Sequence, residues 1–170
     1  MRRNDKIEQE GQQKTKKMRV VANQVTYTSD IDPVSATIAW GGFQRDKSPS
    51  GKAIHLLRQG VDTTYKKGLG THARSTVIYD LSNSDYDYFE SYIGIDQEMQ
   101  NNTSSSARFE VSVDGKQVYG SNTFYSTTSS GFVSVSLKGA KELKLVTTDA
   151  GINGNAADHT VWADAKFVKR

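Results

Sequence analysis

The string Gly68-Leu69-Gly70-Thr71-His72-Ala73-Arg74 is the most unusual place in the chain for chemistry. Two glycines one residue apart permit backbone paths that other residues would block. On an extended segment His72 and Arg74 share parity, so both side chains leave the same face. An imidazole beside a guanidinium can hydrogen-bond vicinal hydroxyls in fixed directions. A satisfied structural histidine is the plainer alternative. As a phosphate loop the string fails, because it lacks a third glycine and a Lys-Ser/Thr, and no helical pattern follows it.

Other residues could join such a site. Trp40 stands in Ile38-Ala39-Trp40-Gly41-Gly42, and Trp162 in Val161-Trp162-Ala163-Asp164. Each can be either a core residue or an apolar platform for a pyranose ring, whose C–H face suits an aromatic surface. Asp96 and Glu98 also share parity. Paired carboxylates can hydrolyse a glycosidic bond, but acids in a loop after a strand are ordinarily solvated, or accept from hydroxyls. Asp149-Ala150-Gly151 and Asn153-Gly154-Asn155 lead to Asp158-His159, an oxygen-rich loop of the kind that Ca²⁺ uses, without EF-hand spacing. The chain has no cysteine, and His55, His72 and His159 form no His-x-x-x-His pair, which argues against zinc. There is no Gly-x-Ser-x-Gly elbow for a serine hydrolase.

The elements that must hold these residues read as strands. Ala107, Phe109, Val111 and Val113 alternate with Arg108, Glu110 and Ser112, and Asp114-Gly115 then makes a hairpin signal. Val133, Val135 and Leu137 alternate with serines, and Leu143 and Leu145 alternate with Glu142 and Lys144. Val77-Ile78-Tyr79 and Tyr88 to Ile95 are two more strands, with Phe89, Ile93 and Ile95 facing the core. Ser82 to Asp87, Gln100 to Ser106 and Ser121 to Ser130 read as polar loops, and Pro33 to Ala39 as one short helical turn. Short strands with regular turn signals predict an all-β sandwich over residues 23–170.

Residues 1–22 differ in texture. Residues 1–19 hold seven basic and three acidic side chains, whereas the rest of the chain has 15 basic and 16 acidic. A basic polar arm therefore precedes a near-neutral body. Such an arm is either disordered or an assembly segment, a candidate contact for a homo-oligomer or larger particle. A neutral body argues against nucleic acid, which needs a basic face. No run approaches the ~20 apolar residues of a membrane span, so membrane insertion is not expected. The N-terminus shows no apolar signal-peptide core. The compartment stays open, with an extracellular or particle-associated location favoured.

Taken together and in order, these strings resemble the NPCBM family, a carbohydrate-binding accessory domain of bacterial glycoside hydrolases. The matching segments include Ser29-Asp30-Ile31-Asp32, Trp40-Gly41, Asp46-Lys47-Ser48, Tyr65 to Ala73, Ile93-Gly94-Ile95-Asp96, Thr148-Asp149-Ala150-Gly151, Asp158-His159 and Trp162-Ala163-Asp164-Ala165. The resemblance implies a galactose-binding-like (discoidin/jelly-roll type) β-sandwich. It implies no catalysis and a glycan partner, with galactose-containing sugars the expected class. His72 and Arg74 become the foremost sugar contacts, with Asp96, Glu98, Trp40 and Trp162 behind them. A structural Ca²⁺ is also implied, with Asp46, Asp164 and Asp30 its candidate ligands. One position departs: Val161 stands where the family pattern carries an acid. The alternative function is a structural or assembly protein, such as a phage or cell-surface particle component, that uses the sandwich and the arm for protein contacts.

Overall fold

The computed structural model describes residues 24–170. The basic arm of residues 1–22 lies outside the described residues. The strands are β1 (Gln24–Tyr27), β2 (Ser35–Ile38), β3 (Gln44–Arg45), β4 (Ile54–Arg58), β5 (Val61–Tyr65), β6 (Gly68–Gly70) and β7 (Ser75–Asp80). They continue as β8 (Tyr88–Ile95), β9 (Ser106–Val113), β10 (Lys116–Gly120), β11 (Phe124–Tyr125), β12 (Gly131–Ser136), β13 (Glu142–Thr148) and β14 (Thr160–Lys169).

Two antiparallel sheets face each other. One runs β12-β8-β14-β6-β3, with β1 also paired to β14; the other runs β10-β9-β13-β7-β2, with β11 on β9. Alternation drives this architecture. Phe109 and Val111 of β9 and Leu143 and Leu145 of β13 are fully buried, and they meet Phe89, Ile93, Trp162 and Phe167 of the opposite sheet in one core. The β9–β10 turn is the expected one: Asp114 and Gly115 both take positive φ, and Val113 pairs with Lys116.

Pro33 to Ala39 makes no helical turn. Ser35–Ile38 instead pairs with β7, because an edge position is open beside Ser75–Ile78. The β4–β5 hairpin, which turns at Gln59-Gly60 with positive φ at both, has no strong signal in the sequence. It packs on the outer face of the first sheet, and Ile54 and Leu56 bury Val161 and Ala163 beneath it. That explains the apolar residue at position 161. An acid there would lie unpaired under the hairpin.

The two glycines of β6 are required by close approach. A Cβ on Gly68 would stand 2.6 Å from the Trp162 carbonyl oxygen, and one on Gly70 would run into the backbone of Lys47 and Ser48. These contacts bring the Trp40–Ser48 loop, β6 and β14 together at one end of the sandwich.

Candidate functional site

The pairing of β6 with β14 continues past the strand ends. Thr71 donates its N–H to the Thr160 carbonyl at 2.9 Å, and Ala73 donates to that of Asp158 at 3.0 Å. His72 and His159 therefore sit opposite each other, with ring centroids 5.0 Å apart. Trp40 completes the cluster, 5.6 Å from His72 and 5.2 Å from His159. Trp40 is 52 % exposed, while His72 and His159 are buried. The three rings line an open cavity of about 300 Å³ together with Ala39, Asn155, Ala156 and Ala157. That volume is at the lower end for a small-molecule site.

Glu98 arrives from β8. Asp96 caps a 3₁₀ turn, Gln97–Met99, by accepting the Glu98 N–H at 2.9 Å. The turn aims Glu98 at His159, whose Nδ1 lies 2.6 Å from Glu98 Oε2. Ser48 Oγ donates to Glu98 Oε1 at 2.6 Å. Burial pushes the Glu98 carboxyl up, but the bonds from His159 and Ser48 outweigh it and hold the group below its ordinary range. Burial also lowers the His72 pKa, against the bond to the Ala73 carbonyl.

The sequence-predicted residues do not all converge. Trp162 is a correction: it is fully buried against Phe109 and Phe89, so it is a core residue and presents no face to a sugar. Asp96 is also fully buried, and its second oxygen accepts the His55 N–H at 3.0 Å, so it positions Glu98 rather than touching a ligand. Burial pushes its pKa up to about 6, against those backbone bonds. Arg74 is not among the residues that line the cavity. The chain bends at Ala73 and Arg74 instead of staying extended, and the guanidinium, largely exposed, pairs with Asp149. His159 is the site residue that the sequence reading left in a different role, as the end of an oxygen-rich loop. Its signal was its place across from His72, visible only once the β6–β14 register is known.

The three carboxylates implied for Ca²⁺ are turned on lysines. Lys67 Nζ lies 2.8 Å from both Asp30 Oδ1 and Asp46 Oδ2, and Lys166 Nζ lies 3.1 Å from Asp164 Oδ2. Asp46 Oδ1 accepts the Gly68 N–H. Among the described residues no group of three or more His, Cys, Asp or Glu side chains is placed so that it could hold a metal ion. This side-chain set does not fit a hard cation that takes six to eight oxygens, roughly.

Behind the cavity, Asp158 is fully buried. One carboxylate oxygen accepts the Ser106 N–H at 2.8 Å and the other has no partner. Burial pushes its pKa up to about 7 from 3.8. Below the unfolded value both states are protonated. As pH rises from there to about 7 the unfolded chain loses the proton first, so this group withdraws stability, on the order of a few kcal/mol at most. Asp158→Asn is expected to flatten that part of the pH dependence. Urea unfolding of both proteins at pH 4.5 and pH 7.5 checks it, and equal slopes would contradict it.

The fold and this end-loop pocket define the class: a galactose-binding-like β-sandwich module. The model of the NPCBM/NEW2 domain matches residues 24–168, and the chain belongs to that family. It superposes with a TM-score of 0.81 and 38 % identity on the CBM51 module of Clostridium perfringens GH95, solved in complex with methyl-galactose; the match covers 85 % of this chain and 99 % of that one. A second CBM51 module, from Clostridium perfringens ZmpB in complex with GlcNAc, gives 0.83 and 37 %, over 87 % of this chain and 32 % of that one. Among curated sequences, the chain is 34 % identical over 149 residues to a putative endo-alpha-N-acetylgalactosaminidase of Renibacterium salmoninarum, with 84 % of this chain matched. It is 35 % identical over 168 residues to the blood-group-substance endo-1,4-beta-galactosidase of Clostridium perfringens, with 85 % matched. It spans 9 % and 20 % of those two proteins' lengths.

Proposed function

We propose that this chain is a non-catalytic carbohydrate-binding module whose cavity at Trp40, His72 and His159 holds a galactose-type sugar of a larger glycan. The observation that carries the reading is the half-exposed Trp40 ring beside two imidazoles in an open cavity. An apolar platform with directional polar groups at its edge is the arrangement a pyranose needs. The methyl-galactose and GlcNAc complexes of the CBM51 relatives support the ligand class.

Hydrolysis is not supported by the acids present. Glu98 is held by His159 and Ser48, and Asp96 is sealed from solvent by two backbone N–H groups. Neither can flank a scissile bond. Each sugar site contributes modest affinity, because hydroxyls exchange protein for water with little net gain. Repetition in a larger protein or assembly would raise avidity by about 10²–10⁴.

A glycan array tests the reading, with the wild type beside His72→Ala and melting curves for both. Binding to terminal galactose or N-acetylgalactosamine, lost in a variant that melts normally, is the expected result. A folded wild type that binds no glycan would remove it and favour an assembly scaffold.

A further inference from the structure

We infer that the outer face of the first sheet carries a second glycan site, at Phe132, Tyr92 and Arg58, which takes a pyranose bearing an anionic group, a carboxylate or a sulfate. The inference rests on the carbohydrate reading above for its class of ligand, and on none of the residues that line the Trp40 cavity.

Strand alternation brings these side chains together. On β8, Phe89, Ser91 and Ile93 are buried, so Tyr88, Glu90 and Tyr92 face outward. On β12, Val133 and Val135 are buried, and Phe132 and Ser134 face outward. The register sets Phe132 opposite Tyr92 and Ser134 opposite Glu90. The Phe132 and Tyr92 ring centroids lie 5.1 Å apart. Tyr92 also meets Tyr65 of the β4–β5 hairpin at 5.4 Å, and both tyrosines pack on the small cluster around Ile54 and Leu56. Tyr92 is thereby fixed from behind, while Phe132 is 52 % exposed at its front. The sequence spends a large apolar ring on solvent at a position where its strand neighbours Ser134 and Ser136 are polar.

Arg58 supplies the charge. At the end of β4 it lays its guanidinium over the Tyr92 ring, 4.8 Å from the centroid. Lys67 and Arg45 also lie over rings, but each is paired with aspartate. Arg58 is exposed, and among the described residues no carboxylate lies within ion-pair distance of it. The stack on Tyr92 pre-positions the planar fork, and an oxyanion is the group that such a fork takes bidentately. The exposed Phe132 ring, flanking the same tyrosine, suits the apolar C–H face of a pyranose. Glu90 gives the ligand a direction. It accepts from Ser134 Oγ at 3.2 Å and repels a second anion. The anionic end of the sugar therefore turns to Arg58 and its hydroxyl edge to Glu90 and Ser134.

The test is NMR titration of the full chain with methyl galactoside, a monosulfated methyl galactoside, methyl glucuronide and methyl N-acetylneuraminide. One or more of the anionic sugars should shift the Phe132 and Tyr92 ring signals and the Arg58 side chain saturably, in the wild type and in Trp40→Ala alike, and added salt should weaken the binding. The sulfated and carboxylated arms tell which anion is preferred. Arg58→Gln and Phe132→Ser change exposed side chains and should melt near the wild type. Each should weaken that binding by about tenfold or more, with methyl galactoside affinity unchanged, and Arg58→Lys should recover only part of the loss. No anionic sugar shifting this face, binding there that survives Arg58→Gln, or methyl galactoside shifting it as strongly overturns this inference and leaves the cavity reading standing. Loss of methyl galactoside binding alone overturns the cavity reading and leaves this inference standing.

Discussion

Trp40→Ala is expected to weaken glycan binding by about 30-fold or more while leaving the melting temperature within a few degrees. Truncating a hot-spot aromatic costs about 2 kcal/mol or more, and about 1.4 kcal/mol is tenfold in affinity. Trp40 supplies the large aromatic face of the cavity and belongs to a loop between short strands. Its half-exposed ring contributes little to the core. Trp40→Phe, which keeps a smaller ring, should recover part of the loss. Titration of the variants against methyl galactoside, beside their melting curves, reads both effects. Undiminished affinity in Trp40→Ala would mean that the sugar does not lie on the indole.

Trp162→Ala should do the opposite. This ring is fully enclosed, edge-on to Phe109 at 5.2 Å and tilted on Phe89 at 6.1 Å, so it joins the two sheets. Its removal leaves a cavity that β-sheets cannot close, at a cost of about 3–5 kcal/mol. For a domain of this size, about 2–4 °C per kcal/mol gives a fall in melting temperature on the order of 10 °C. Denaturant unfolding measures it directly. A loss under about 1 kcal/mol would show that the two sheets do not pack through this residue.

Two tryptophans with opposite roles show how far the sequence reaches. Both have neighbours that permit either role, and only register separates them. Trp162 pairs with Leu69 and Ile93, both core residues, which sends its ring inward. Trp40 sits where Gly41 and Gly42 take positive φ, outside any strand. The strands with clean alternation, Tyr88–Ile95 above all, were legible because one face of each is buried. The β4–β5 hairpin was not, since Gln59-Gly60 is a weaker turn signal than Asp114-Gly115 and β5 is half-exposed. Within the site, His72 and Trp40 could be picked out by their local strings. The Glu98–His159 bond could not, because it joins residues 61 apart through the β8–β14 pairing. The parity rule that pairs Arg74 with His72 holds only while the chain stays extended, and it bends there.

The account turns on one cavity, and an NMR titration of ¹⁵N-labelled protein with methyl galactoside tests it most directly. The predicted result is saturable shifts confined to the Trp40 indole, His72, His159 and the Asn155–Ala157 backbone, with the core unmoved. Saturable shifts centred elsewhere on the sandwich, or none at millimolar sugar for methyl galactoside and GlcNAc alike, would contradict it.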